Sequence, residues 1–138
     1  MRRCAAVSLL RKVLYLDALL NAALGVGLIA LPRFLLVDVF GQPLYPDYAF
    51  VRVFGAAALA LALLEVLIGQ RIEELYFWCW TFVLFEAFRA AILTLHVLFG
   101  LPEGASPLMW WLGAGVRWAV AFGLVVGIGR AAAEAQPS

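Results

Sequence analysis

Glu86 and Arg89 put an acid and a base three residues apart inside a run that is otherwise apolar from Leu75 to Phe99. Residues at that spacing share one face of a helix, and about 20 apolar residues are enough to cross the hydrocarbon core of a bilayer. The pair is thus expected near mid-membrane, where an unpaired charge is costly and ionisable side chains mark ligand, ion or proton paths. Each of three further apolar stretches carries polar residues able to meet them: Asp17 and Asn21 in the first, Arg52 and Glu65 in the second, and Arg117 in the last. His96 lies on the Glu86 face, seven residues beyond Arg89.

Depth can be assigned at about 1.5 Å per residue. Arg89 and Arg117 come out level, a little outside the midplane, with Glu86, Asp17 and Glu65 successively nearer the cytoplasm and Arg52 and His96 nearer the outer side. Three acids and three arginines then nearly neutralise one another, which makes insertion feasible, since each alone costs about 2.5–3.5 kcal/mol on insertion scales. Asp17, Asn21, Arg52, Glu65, Glu86, Arg89, His96 and Arg117 are the candidate site, read as the polar wall of a pocket or proton path. The alternative is interhelical glue. Polar contacts between membrane helices average only about 0.6 kcal/mol, a weak reason to bury so many charges. His96 has no second histidine to complete a metal site, and no metal is expected. Gly-rich phosphate loops, nucleophile elbows and CxxC pairs are absent from the sequence.

The elements that must position these residues follow from hydropathy. Of 138 residues, 66% are hydrophobic and 14% charged, against roughly 45–50% and about 25% in soluble domains. The expected fold is an all-α, integral membrane four-helix bundle forming one domain over residues 1–138. Net charge is only +1, so no nucleic-acid footprint exists. The lipid bilayer is the main partner, with a homo-oligomer or a larger membrane complex as the further options.

The first span is expected over Val13–Leu31, ended by Pro32 and uncleaved, because Arg11 and Lys12 interrupt the early apolar run. Ala18–Ala22 and Ala23–Gly27 offer small-residue contacts. Pro32 to Pro46 is too polar to span. It reads as a short interfacial helix carrying Phe34, Leu35, Leu36, Val37, Val39 and Phe40, or else as a connecting loop; Gly41-Gln42-Pro43 ends it, and Tyr45 and Tyr48 suit an aromatic belt. The second span runs from Pro46-Asp47 to Gly69, Gln70–Glu74 is a tight turn, and the third runs from Leu75 to Phe99. Gly100–Ala105 is the next loop, and Ser106-Pro107 reads as N-cap and first residue of a fourth span reaching Gly129. Ala119, Gly123 and Gly127 form its expected contact stripe. Cys4 and Cys79 suit neither a disulfide framework nor thiol redox work.

Arg2, Arg3, Arg11, Lys12, Arg71 and Arg130 flank one side of these spans and Arg33 alone the other. By the positive-inside rule both termini face the cytoplasm. A faint echo relates the halves: Asp17-Ala18 with Asn21-Ala22-Ala23 resembles Glu86-Ala87 with Arg89-Ala90-Ala91, and Val51-Arg52 resembles Val116-Arg117. A parallel repeat would put an acid on the first helix and an arginine on the second helix of each hairpin.

The stretch Val51-Arg52-Val53-Phe54-Gly55-Ala56-Ala57-Ala58-Leu59, opening the second of four spans, resembles the small bacterial DoxX-like membrane proteins. Those are also short four-helix chains, with Arg-x-x-Gly leading into an Ala/Leu-rich span, and Arg52 and Gly55 are the matching positions. Some of them are linked to quinone-coupled sulfur oxidation or oxidative-stress complexes. The resemblance implies an inner-membrane protein, with quinone or lipid as the expected ligand class. Three functions follow as expectations: an accessory subunit or binder of a lipophilic small molecule; a proton-coupled transporter or channel subunit relaying through Asp17, Glu65 and Glu86; or a membrane enzyme acting on an isoprenoid or sterol-like substrate, with Glu86 and Asp17 as acid and base. The first is preferred, and catalysis is not required by any motif.

Overall fold

A computed structural model describes residues 3–103 and 105–135, with side-chain environments for 8–103 and 105–133. Arg2 and Gly104, and the side chains of Arg3 and Cys4, lie outside the described residues. Four helical rods long and apolar enough to cross a membrane account for nearly all of it, at Ser8–Ala30, Ala49–Gln70, Ile72–Phe99 and Pro107–Ala133. The all-α four-helix expectation is met, and no strand occurs among the described residues.

Helix α1 (Arg3–Ala30) is 28 residues long, about 42 Å, and begins well before the expected Val13. Beyond it, Phe34–Val39 forms a single π-helical stretch with no buried residue, so the segment before the second span is helical rather than a plain loop. Gly41 then turns the chain at φ +64°. A Cβ there would stand 2.8 Å from the Ala105 Cα, so both the backbone angle and the close approach of the 100–105 loop demand glycine. Trp110 fastens the same turn, its Nε1 donating to the Phe40 carbonyl at 2.9 Å with the two rings 5.1 Å apart.

Just before helix α2 (Ala49–Gln70) the Asp47 carboxylate accepts from the Ala49 N–H at 2.9 Å, satisfying one of the orphaned donors of the first turn. The turn expected over Gln70–Glu74 contracts to Arg71. The chain re-enters helix as α3 (Ile72–Leu75), passes through a 3₁₀ turn at Tyr76–Trp78, and continues as α4 (Cys79–Phe99). Ile72 explains the early restart: it is fully buried against the core and could not be left in a loop. Arg11 secures this corner, donating through Nε to the Gly69 carbonyl at 3.0 Å, one of the orphaned acceptors at a helix end. Helix α5 (Pro107–Ala135) outlasts the expected Gly129.

Close backbone packing runs in the order α2, α1, α5, α4. The α1–α2 crossing lies at Gly25 and Gly55, where a Cβ on either would come within 2.8 Å of the other's carbonyl oxygen. Glycine is needed here for approach, not for conformation. The expected Ala23–Gly27 pair is not this contact: Ala23 is exposed and Gly25 takes its place. On α5, Gly123 and Gly127 do meet α1, against Val13 and Leu10. Ala119 is exposed, however, because the buried stripe runs through Arg117, Val120 and Leu124 instead.

Burial is uneven along the bundle axis. The apolar core of Leu10, Leu14, Ile72, Cys79, Phe82, Val83, Val120, Leu124 and Ile128 fills the end where α1 begins and α5 finishes, the termini end. Towards the other end, the loop end, no residue of α4 after Ala90 and none of α5 before Ala114 is buried. On α1 beyond Asn21 only Gly25 is buried, under α2. The bundle is closed at one end and open at the other.

Candidate functional site: a buried ionic cluster

At the boundary between those halves the four rods converge on five polar side chains and a sixth that reaches the surface. Arg117 on α5 is the bridge: its Nη1 donates to Asp17 Oδ1 at 3.0 Å and to Glu86 Oε2 at 3.1 Å. Arg89 on α4 donates through Nη1 to Glu86 Oε1 and to Asn21 Oδ1, both at 2.8 Å. Asn21 on α1 in turn donates through Nδ2 to Glu65 Oε1 on α2 at 2.9 Å and to Asp17 Oδ1 at 3.3 Å. Each of the four rods contributes, and every contact except the longer Asn21–Asp17 one is a charge-assisted or amide hydrogen bond of ordinary length.

Asp17, Asn21, Glu65 and Glu86 are wholly buried and Arg117 is 7% exposed. Carboxylates so placed persist only when paired and hydrogen-bonded. Two oxygens remain without a protein partner, Asp17 Oδ2 and Glu65 Oε2. The cluster holds three carboxyls and two guanidiniums, so it carries one acid more than its fixed cations balance.

Side-chain lean and length explain how a ladder assigned to successive depths closes into one cluster. Helical side chains tilt towards their own N-terminus. Asp17, Asn21, Glu86 and Arg89 sit on helices that start at the termini end, whereas Glu65 and Arg117 sit on helices that start at the loop end. Glu65 and Asn21 therefore lean towards each other across their difference in depth, whereas Arg117 meets Asp17 and Glu86 through the length of its own side chain.

Arg89 is the cluster's outlet. Its side chain is 24% exposed, and its guanidinium lies 5.1 Å from the Phe85 ring centre, within cation–π range. Phe85, four residues before Arg89, is a site neighbour that the sequence reading missed; the i, i+4 aromatic–arginine spacing was the available signal.

Two of the expected members stand apart. Arg52 is exposed and joins no partner among the described residues. It faces away because α2 turns Gly55, Ala62, Glu65 and Gly69 inward, and position 52 lies off that stripe. His96 packs on Trp110 with ring centres 4.6 Å apart, and its Nε2 has no partner. It belongs to the aromatic latch at the loop end and not to the ion pairs. The half-chain echo therefore does not extend to the site, since Arg117 bridges two acids while its counterpart Arg52 is outside.

Cys79 is buried and unpaired, packed among apolar side chains. No group of three His, Cys, Asp or Glu residues able to hold a metal ion occurs among the described residues. Fold and site together define a multi-pass helical membrane protein with a hydrogen-bonded ionic cluster at the floor of an open half-bundle. No protein-family model, curated protein or solved structure matches the chain.

Proposed function

We propose that this chain is a non-catalytic inner-membrane protein of the DoxX-like type, with both termini cytoplasmic, that holds a lipophilic molecule in its open half. The molecule's polar head rests on Arg89, and the protein acts as a binder or as an accessory subunit of a larger assembly. The observation that carries this reading is Arg89 itself, the one charged member of the cluster with substantial exposure, placed where the packed half gives way to the open one.

Charge narrows the head group. Both guanidiniums are already engaged, Arg117 by Asp17 and Glu86 and Arg89 by Glu86 and Asn21, so no cation of the cluster is left to balance an anionic head. A neutral acceptor or donor, such as a quinone carbonyl or a lipid hydroxyl, is favoured over a fatty acid. Transport fits less well. A conducting path needs polar access to both faces, and the termini end is filled by Leu10, Leu14, Phe82, Val120 and Leu124. The hydrogen-bonded chain also runs across the bundle at one level, joining all four rods, instead of along its axis.

The test is solvent extraction and mass spectrometry of lipophiles that co-purify with wild type, with Arg89→Leu and with Leu93→Trp. Leu93 is half-buried one turn beyond Arg89, and a tryptophan there fills the open half without altering a charge. A neutral lipophile carried by wild type and lost from both folded variants supports the reading. Equal carriage by all three refutes it.

A further inference from the structure

On the outer flank of α1 and α2 lies an open, apolar groove of about 550 Å³, lined by residues that include Tyr15, Ala18, Ala22, Leu59, Leu63 and Val66. It is separate from the ionic cluster, and alanines on α1 make the indentation where the facing helix carries leucines. At 100° per residue, Arg52, Leu59, Leu63 and Val66 fall within about 60° of one another on α2. The exposed arginine thus stands above the groove on the same helix face. It lies in the first turn and a half of the helix, at the loop end, and has no protein partner among the described residues.

From these positions we infer that the flank is a binding site for one anionic phospholipid, its phosphate on Arg52 and one acyl chain laid along the groove. The lengths agree. The α2 lining from Leu59 to Val66 lies about 10–21 Å below Arg52 along the axis, so a chain descending from the phosphate enters it within one leaflet's share of a hydrocarbon core about 30 Å thick. Arg52 near a helix end can turn its guanidinium to the headgroup level while its stem lies on apolar surface. Apart from the Tyr15 phenol, the groove's lining is aliphatic, which suits a hydrocarbon chain beneath the phosphate. Charge complementarity selects phosphatidylglycerol over phosphatidylcholine, because only the former brings an uncompensated negative charge to Arg52.

The experiment is native mass spectrometry of the full chain in detergent, titrated with phosphatidylglycerol or phosphatidylcholine, for wild type, Arg52→Gln and Leu63→Trp. Arg52 and Leu63 are both exposed and neither touches the cluster, so the outcome is independent of the ligand proposed for Arg89. Wild type is expected to retain phosphatidylglycerol about fivefold better than phosphatidylcholine, the preference one arginine confers near an anionic head. Arg52→Gln should erase the preference while both lipids still bind, and Leu63→Trp should weaken both by filling the groove. An unchanged preference in Arg52→Gln overturns the site. So does a lipid-independent dimer that Leu63→Trp dissociates, which would make the groove a contact between copies of the chain.

Discussion

Removing Arg117 tests whether the cluster behaves as a compensated unit. Among the described residues its guanidinium alone bridges Asp17 and Glu86, at 3.0 and 3.1 Å. In Arg117→Leu, Glu86 keeps Arg89, whereas Asp17 loses its ion pair and keeps the 3.3 Å bond from Asn21. Two magnitudes compete. Polar contacts between membrane helices average about 0.6 kcal/mol and reach about 1.7, whereas breaking a buried pair and leaving one charge uncompensated costs about 3–5 kcal/mol. The second should prevail, because Asp17 is wholly buried and no other cation lies within bonding distance of it among the described residues. Arg117→Leu is therefore expected to lose about 3 kcal/mol or more in a denaturant titration of the detergent-solubilised chain. Adding Asp17→Asn removes the stranded charge and preserves the cluster's net charge, so the double variant should recover more than half of the loss. A single-variant loss below about 1.7 kcal/mol, or no recovery in the double variant, would show that Arg117 is ordinary interhelical glue and refute the reasoning.

Glu65→Gln should be neutral or mildly stabilising in the same titration, since Glu65 forms no ion pair and an amide oxygen can still accept from Asn21 Nδ2. Gly55→Ala should cost about 1–3 kcal/mol, the usual range for overpacking, because its Cβ would sit 2.8 Å from the Gly25 carbonyl oxygen; thermal unfolding reads this directly. Trp110→Phe keeps the ring against Phe40 but deletes the 2.9 Å bond to its carbonyl, for about 0.5–1.5 kcal/mol. Hydrogen exchange should quicken in the 34–42 segment and remain unchanged in α2.

The fold was legible because lipid simplifies the code: four long apolar runs have few other solutions. Membership of the cluster was legible for six of the eight expected residues: Asp17, Asn21, Glu86, Arg89 and Arg117 sit well inside their spans, and Glu65, nearer an end, is held in by the inward stripe it shares with Ala62 and Gly69. Arg52 and His96 lie close to span ends, where a charged or amphipathic side chain can escape to the interface, so sequence position alone does not bury them. Contact stripes were less readable. Alanine and glycine are frequent throughout these helices, and Ala119 and Ala23 fit a small-residue pattern as well as Gly25 does. What chooses among them is helix phase, and the inward-facing polar residues fix that phase: Asn21 and Gly25 share a face, as do Arg117 and Leu124.

That dependence bears on why the charges are there. A four-helix bundle in lipid gains little from apolar contact, since lipid tails are as apolar as leucine, and α1, α4 and α5 could rotate about their axes at small cost. The Glu65–Asn21–Asp17–Arg117–Glu86–Arg89 chain ties one defined face of all four rods to a single point. Below that point the side chains interdigitate into a core; above it, no residue of α4 beyond Ala90 and none of α5 before Ala114 is buried. A cluster needed only for helix phasing would be served as well by neutral amides with packing on both sides. One set at the limit of packing, with Arg89 left partly uncovered, also gives the open half a polar floor. The two roles separate experimentally, because Leu93→Trp should empty the open half while leaving the cluster's contribution to stability intact.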